Sequence, residues 1–150
     1  MPAYQASDSS FVSISDADRS PDLDYAVTVH HGVDADGLPF NPRRGEILGG
    51  AAARLHPIDF DEPFGLSIVE SLICGTPVIA YPRGALPDIV DEGITGRLVR
   101  DIGQAVAAVH SIHTVDRAGC RSQARERFGA DRMVAGYPAV YERLIGDSRR

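Results

Sequence analysis

Lysine is absent from this chain of 150 residues, so all 15 of its basic residues are arginine. Mechanisms that need a side-chain ammonium group, such as a Schiff base or the lysine of a P-loop, are therefore excluded. Acidic residues outnumber these arginines: there are 21 aspartates and glutamates, which give a net charge of −6 and an isoelectric point near 5.2. This balance argues against nucleic acid as a partner, since phosphate binding needs clustered positive charge.

Cysteine is scarce, and long apolar runs are missing. Cys74 and Cys120 are far apart and lack partners at metal-ligand spacing, which is typical of reduced thiols, with a disulfide as the less favoured alternative. No stretch approaches the roughly 18 apolar residues of a membrane span, and residues 1–24 lack the apolar core of a signal peptide. We therefore expect a cytoplasmic protein with no membrane span.

From residue 46 onward, strand-like and helix-like patterns alternate. We expect strands over 53–56, 78–81 and around Leu98-Val99, and helices over 46–51, 66–74 and 85–91. Two shorter strands, over 11–14 and 24–31, precede a loop rich in glycine and proline. Alternation of this kind predicts an α/β fold, a Rossmann-like three-layer arrangement of helices on a parallel sheet. Such sheets bind ligands at the carboxyl ends of their strands.

Three helices are predicted to close the chain, capped by Asp101, Asp116 and Asp131. Apolar residues at helical spacing predict the buried face of each helix. In chain order these faces are Ile102/Val106/Val109/Ile112, Cys120/Ala124/Phe128 and Val134/Tyr137/Tyr141/Leu144. The second helix also has arginines at four-residue spacing (Arg117, Arg121 and Arg125), which favours a solvated face over an anion site.

The turn that leads into the helix at 66–74 has the features of a ligand site. The first turn of a helix offers unpaired N–H groups and partial positive charge, which stabilise a diphosphate. Gly65 lets a ligand approach the backbone closely. Glu62 and Glu70 lie on either side, and a carboxylate accepts hydrogen bonds from paired hydroxyls. A nucleotide-sugar fits this pattern, while two solvated acids at a helix start are the plainer alternative.

A second polar group, His30, His31, Asp34 and Asp36, has residue types that bind metal ions. No third cluster completes a coordination shell, so we interpret the group as a polar hinge.

The motifs around Glu62 follow one another in the order of a known family. They are Glu62 to Glu70 with seven residues between the two acids (E-x7-E), Cys-Gly-Thr-Pro-Val at 74–78, Pro-Asp-Ile-Val at 87–90, and Gly-Ile-Thr-Gly-Arg-Leu-Val at 93–99. This run closely resembles the nucleotide-sugar-binding C-terminal half of the family 4 (group 1) retaining glycosyltransferases, which have the GT-B fold.

The resemblance implies a role for each residue of the turn. Glu62 would be the catalytic residue, which contacts hydroxyls of the donor sugar and orients its anomeric centre. Glu70 would accept hydrogen bonds from the ribose. Backbone amides at the helix start would face the sugar and the diphosphate, and the residues that provide or flank them are Phe64, Gly65, Leu66 and Ser67. Asp88 stands where the family more often has glutamate. The family usually needs no metal, so we expect no cofactor beside the donor.

The resemblance also divides the chain. Residues 1–45 resemble the end of an acceptor domain and its hinge, and residues 46–150 resemble part of a donor domain. In the family a half-domain lies between these parts and supplies a glycine-arginine loop and a lysine for the diphosphate. Here Arg43 and Arg44 run directly into Glu46, and nothing in the sequence places these arginines at the diphosphate. We therefore expect an internally shortened chain that keeps the donor-binding turn but has little turnover.

The implied activity is transfer of a hexose, with retention, from a nucleotide diphosphate-sugar to a hydroxyl of an unknown acceptor. The alternative is a non-catalytic fragment of such an enzyme. It would act as a binding or interaction module, through self-association or with a partner subunit.

Overall fold

The computed structural model describes residues 11–17, 19–21, 25–36 and 46–147. In chain order its elements are β1 (Phe11–Ser13), β2 (Tyr25–Thr28), α1 (Glu46–Gly50), β3 (Arg54–His56), α2 (Leu66–Ile73), β4 (Val78–Ala80), α3 (Leu86–Ile89), β5 (Gly96–Leu98), α4 (Ile102–Ser111), a 3-10 turn (Ile112–Thr114), α5 (Arg117–Phe128) and α6 (Ala130–Asp147). Arg43 and Arg44, with most of the predicted loop, lie outside the described residues.

The main sheet has three parallel strands in the order β3-β4-β5. All three residues of the central strand β4 are buried, as expected for a parallel strand covered on both faces. The helix α2 connects β3 to β4. It ends at Ile73 and is followed by Gly75, whose φ of 76° is a left-handed conformation that favours glycine. The predicted α/β class with parallel strands is confirmed.

The strands β1 and β2 form a separate parallel pair. The segment after β2 is joined to the C-terminal helices through Val33, whose N–H donates to Phe128 O at 2.8 Å and whose carbonyl accepts from Ala130 N at 3.0 Å. Close packing supports this contact, because a Cβ on Gly32 would lie 2.6 Å from the Cα of Ala130. Residues 25–36 are thereby attached to the junction between α5 and α6.

The predicted caps of α4 and α5 are confirmed. Asp101 Oδ1 accepts from Gln104 N at 2.8 Å, and the Asp116 carboxylate accepts from the N–H groups of Ala118 and Gly119. The predicted cap of α6 is wrong. This helix begins at Ala130, so that Asp131 lies inside its first turn.

Burial of α5 follows the prediction, and burial of α4 does not. Cys120, Ala124 and Phe128 are fully buried. In α4, by contrast, Ile102 is 76% exposed and both Val106 and Val109 are about half exposed. Ile112 is the one residue of the predicted face that is buried, and it lies just after the helix. Within the helix, Ala108 is buried instead. The helix packs on β4 through its alanines, because small side chains allow close approach to a sheet.

The apolar stripe predicted for α6 is partly wrong. Val134 and Tyr141 are more than half exposed, whereas Val140 is buried. The helix turns its Gly136 side toward β2, where a Cβ on that glycine would lie 3.2 Å from Val29 Cγ1. Pro138 lies inside the helix on its exposed side. None of the described helices is both long and apolar enough to cross a bilayer.

The arginines of α5 do not form a solvated face, which corrects the prediction for Arg117 and Arg121. Arg117 donates to Gly49 O at 2.7 Å and to Ala51 O at 2.6 Å, at the carboxyl end of α1. Arg121 donates to Ile73 O at the end of α2. These carbonyls lack helical partners and carry partial negative charge, so that a guanidinium both pairs and neutralises them.

Of the two other arginines of α5, one repeats this pattern and one does not. Arg127 donates to Asp88 O in α3 and to Asp91 Oδ2, the latter at 2.6 Å. Arg125 forms a more exposed ion pair with Asp36 at 2.7 Å. The helix therefore holds the ends of α1, α2 and α3 through three of its cations.

Candidate functional site

The candidate site lies at the carboxyl ends of β3 and β4, where residues 57–65 lead into α2. The loop after β4 packs directly on this turn, because Ala85 N donates to Glu62 O at 2.8 Å. Gly84 makes the contact possible: it has a φ of 56°, and a Cβ there would lie 2.3 Å from Glu62 O. The backbone around Glu62 is therefore held by the loop that follows β4.

Gly65, the residue just before α2, has a left-handed conformation, with φ 81° and ψ 44°. Its carbonyl accepts from Ile68 N and Val69 N, at 2.9 and 3.1 Å. Within the described part of the chain, no acceptor is found for the N–H of Leu66 or Ser67, and no side chain caps the helix. The start of α2 therefore offers two free backbone donors and the positive end of the helix dipole.

Both carboxylate oxygens of Glu62 face protein groups. Oε1 accepts from Gly65 N at 3.1 Å, and Oε2 lies 3.7 Å from His56 Nε2. Burial, followed by the nearby positive charge of Arg54, lowers the pKa of His56 below its ordinary value of 6.5. His56 is therefore neutral near pH 7, so no imidazolium lies beside the carboxylate of Glu62.

Arg54 brings a guanidinium group to the first turn of α2. Its Nη1 donates to Ser67 O at 3.2 Å, and its Nη2 donates to Ser67 Oγ at 3.1 Å. Arg54 and His56 are two residues apart in β3, so their side chains lie on the same face, while Leu55 between them points the other way and is 58% exposed. The strand alternation thus places a cation and an imidazole on the side of α2.

Phe64 anchors the turn through its side chain. The ring is buried and makes edge contacts with His31 and Phe128, at centroid distances of 5.1 and 6.0 Å. The preceding carbonyl, Pro63 O, accepts from Ser15 Oγ at 2.6 Å. Only the backbone of Phe64 can therefore face a ligand, since its ring is part of the core.

Glu70 lies in the second turn of α2, one turn beyond Leu66 and on the same side of the helix. Leu66 is 48% exposed and Glu70 is half-buried, so this side of α2 is accessible to solvent. The structure thus brings all the predicted residues together: Glu62 and the residues from Phe64 to Ser67 form one turn, and Glu70 lies on the helix that follows.

With this geometry in place, residues 38–129 match the family model of the group 1 glycosyl transferases, which is more than half of the chain. The chain belongs to this family. Its curated relatives include a D-inositol 3-phosphate glycosyltransferase of Mycobacterium leprae, 37% identical over 98 residues. A 41.2 kDa protein of the cps region of Klebsiella pneumoniae is 36% identical over 87 residues.

These two matches cover 59% and 54% of this chain, but only 23% and 24% of the relatives. The chain therefore spans about a quarter of the length of the curated relatives that it matches.

Several solved structures share this fold. A glycosyltransferase from Rickettsia africae has a TM-score of 0.67 at 13% identity, over 89% of this chain and 63% of that one. Anabaena Alr3699/HepE in complex with UDP has a TM-score of 0.60 at 16% identity, over 80% and 32%. The sucrose-phosphate synthase of Thermosynechococcus elongatus has a TM-score of 0.56 at 24% identity, over 92% and 38%. These likenesses establish the fold.

Sequence reasoning missed two polar residues of the candidate site, Arg54 and His56. Their signal was present, because both belong to a strand whose carboxyl end leads into the turn before α2. The prediction of a solvated face for Arg117 and Arg121 overlooked a second signal. Arginine is well suited to pair with carbonyls at helix ends, and several helices were predicted.

Two other features lie away from the turn. A cavity of about 600 Å³ between β2 and α6 is lined in part by His30, Arg127 and Arg132, and includes neither Glu62 nor Glu70. In the part of the chain that the structure describes, no group of three or more histidine, cysteine, aspartate or glutamate side chains could hold a metal ion. In the predicted polar hinge, Asp34 Oδ1 accepts from Asp36 N at 3.1 Å, which is a local turn contact.

Proposed function

We propose that this chain binds a nucleotide diphosphate-sugar at the turn before α2, as the donor-binding part of a retaining glycosyltransferase. The observation that carries the proposal is the pair of free N–H groups of Leu66 and Ser67, which lie between the carboxylates of Glu62 and Glu70. A diphosphate is stabilised by such donors without a metal ion, and the carboxylates suit hydroxyl groups on either side.

Each residue has a defined part in the proposal. The carboxylate of Glu62 accepts hydrogen bonds from hydroxyls of the sugar and orients the anomeric carbon. Glu70 accepts them from the ribose. The backbone of Phe64, Gly65 and Leu66 faces the sugar and the diphosphate, and Ser67 lies beside them. No cofactor is required in addition to the donor, because the charge on the departing diphosphate is stabilised by preorganised donors.

The relatives support a nucleotide-sugar as the ligand. Alr3699/HepE was solved in complex with UDP and with UDP-glucose, and its fold includes the region shared with this chain. The same proposal includes hexosyl transfer to an acceptor hydroxyl, with retention at the anomeric carbon. It also includes a cytoplasmic location and a division at residue 45 into hinge and donor regions. The acceptor is not identified by any of these residues.

Calorimetric titration with UDP-glucose, GDP-mannose and ADP-glucose tests the proposal. We expect saturable binding of at least one donor, weakened about tenfold or more by Glu70→Ala, since a hydrogen bond to a charged group contributes about 1.5–3 kcal/mol. Glu142→Ala, at an exposed glutamate of α6, is the matched control and should leave affinity unchanged. A folded wild-type protein that binds none of the three donors would contradict the proposal.

A hydrolysis assay with the donor that binds then separates an enzyme from a non-catalytic module. Release of free sugar that is abolished by Glu62→Ala would establish turnover by this chain. Binding without any release would assign the chain to donor binding alone.

A further inference from the structure

His56 lies beside the proposed sugar-binding carboxylate and has no role in the proposal so far. Its Nε2 atom is shielded from solvent, has no hydrogen-bond partner, and lies 3.7 Å from Glu62 Oε2. Both side chains are mostly buried, with 12% of His56 and 19% of Glu62 exposed. A shift of about 0.7 Å would bring the two atoms to hydrogen-bond distance.

A carboxylate has about four positions at which it can accept hydrogen bonds. Gly65 N occupies one of them, on Oε1, and thereby fixes one side of Glu62. With that bond alone the carboxylate can still rotate, because a single contact does not define the plane of the group. A second contact on Oε2 defines the plane and leaves about two acceptor positions for a ligand.

We propose that His56 is a positioning residue that holds Oε2 of Glu62, so that the remaining acceptor positions of the carboxylate face the hydroxyls of the donor sugar. The inference rests on the proposed function, since it assigns a role within the same site. It assigns no contact between His56 and the ligand. His56 acts through Glu62, in the way that outer residues orient the groups that bind a metal or a substrate.

The charges around His56 are consistent with this role. Arg54 of β3 and Glu62 of the following turn are the charged groups that act on it, and Arg54 is turned toward Ser67. Burial lowers the pKa of His56, so the ring stays neutral near pH 7 and donates one N–H without forming a full ion pair. A neutral donor fixes the carboxylate but leaves its charge available to the sugar.

The first test compares two ligands by calorimetry: the nucleotide-sugar that binds, with UDP-glucose as the first probe, and its nucleoside diphosphate. His56→Leu should lower the affinity for the nucleotide-sugar about tenfold and leave the affinity for the nucleoside diphosphate unchanged, because only the sugar is proposed to contact Glu62. His56→Gln, which keeps an N–H donor, should restore most of the affinity. His110→Leu, at an exposed histidine of α4, is the control. Equal weakening of both ligands, or no rescue by glutamine, would overturn the inference.

The second test uses the unliganded protein. The Glu62 carboxylate raises the pKa of His56, so the imidazole should titrate at lower pH in Glu62→Gln than in the wild type. NMR of the histidine ring and of the Gly65 amide measures this coupling directly. Identical titration in both proteins would overturn the inference. If the wild-type protein binds no donor, the proposed function fails, and the titration still decides whether His56 positions Glu62.

Discussion

Helices α4 and α5 differ in which side chains they bury: α4 leaves large apolar residues exposed, whereas α5 partly buries arginines. The apolar stripe of α4, which was expected to be buried, is largely exposed, with Ile102 at 76%. Two arginines of α5 that were expected in solvent, Arg117 and Arg121, pair instead with carbonyls at the ends of α1 and α2. Spacing therefore predicted the apolar face of α5 correctly, but it misjudged the apolar stripe of α4 and the charged side of α5, in opposite directions.

This difference shows that the burial of polar side chains on a helix depends on which backbone carbonyls its neighbours leave without hydrogen-bond partners. The helices α1, α2 and α3 all end near α5, and each leaves carbonyl groups without partners. Arginine has a long apolar stem and five N–H donors, so it can be largely enclosed while it pairs with such groups. Around α4 the sheet is already covered by alanines, and the larger apolar residues remain outside.

Phe128→Ala should produce the largest loss of stability. Its ring is 1% exposed and packs against Phe64, so truncation leaves a cavity beneath the turn before α2. We expect the free energy of unfolding to fall by about 3–5 kcal/mol, measured by urea denaturation. Val109→Ala in α4 is the control and should cost less than about 1 kcal/mol. A similar loss in both variants would remove the contrast between the two helices.

Arg127→Met should have the next largest effect. The substitution removes the pair with Asp91 and the bond to Asp88 O. Of its two donors, Arg127 and Gln123, Asp91 Oδ2 then keeps only the amide of Gln123. We expect a loss of about 2 kcal/mol in the free energy of unfolding. Arg125→Met removes an exposed pair with Asp36 and should cost less than about 1 kcal/mol. Equal values for the two arginines would contradict a structural role for the enclosed one.

A pH series tests the packing beneath α5. Burial lowers the pKa of His30, whose ring contacts Phe128, below 6.5. The unfolded chain therefore takes up the proton first, and stability is fully present above pH 6.5 and falls as the pH drops toward the folded-state pKa. His30→Gln should make this decline shallower, as measured by urea denaturation between pH 5 and 7.5. An unchanged slope would show that His30 titrates alike in both states.

Ile102→Ser combined with Val106→Ser should have the smallest effect. Both side chains are more than half exposed on α4, so the expected change in the free energy of unfolding is within about 0.5 kcal/mol of zero. Thermal and urea denaturation measure it. A loss above about 1.5 kcal/mol would mean that this stripe is covered in solution, and the contrast with α5 would then disappear.

Local patterns predicted much of the candidate site. The order of β3, turn and α2 follows from Gly65, the flanking acids and the apolar helix, all of which are visible within fifteen residues. The contacts that hold the turn could not be predicted in the same way. Ser15 and Gly84 are distant from Pro63 and Glu62 along the chain, and only folding brings them together. The partnership of His56 and Glu62 likewise depends on how the turn folds back toward the strand.

The sequence by itself determined the α/β class, the family and the absence of any lysine at the proposed diphosphate site. These follow from short-range patterns and composition, which need no knowledge of packing. The tertiary structure decided which helix faces are buried, which cations are enclosed and where Arg54 and His56 point. The physical reason is that the carboxyl end of a helix leaves its carbonyls to be paired by side chains from elsewhere in the chain, and sequence spacing does not record which residues will reach them.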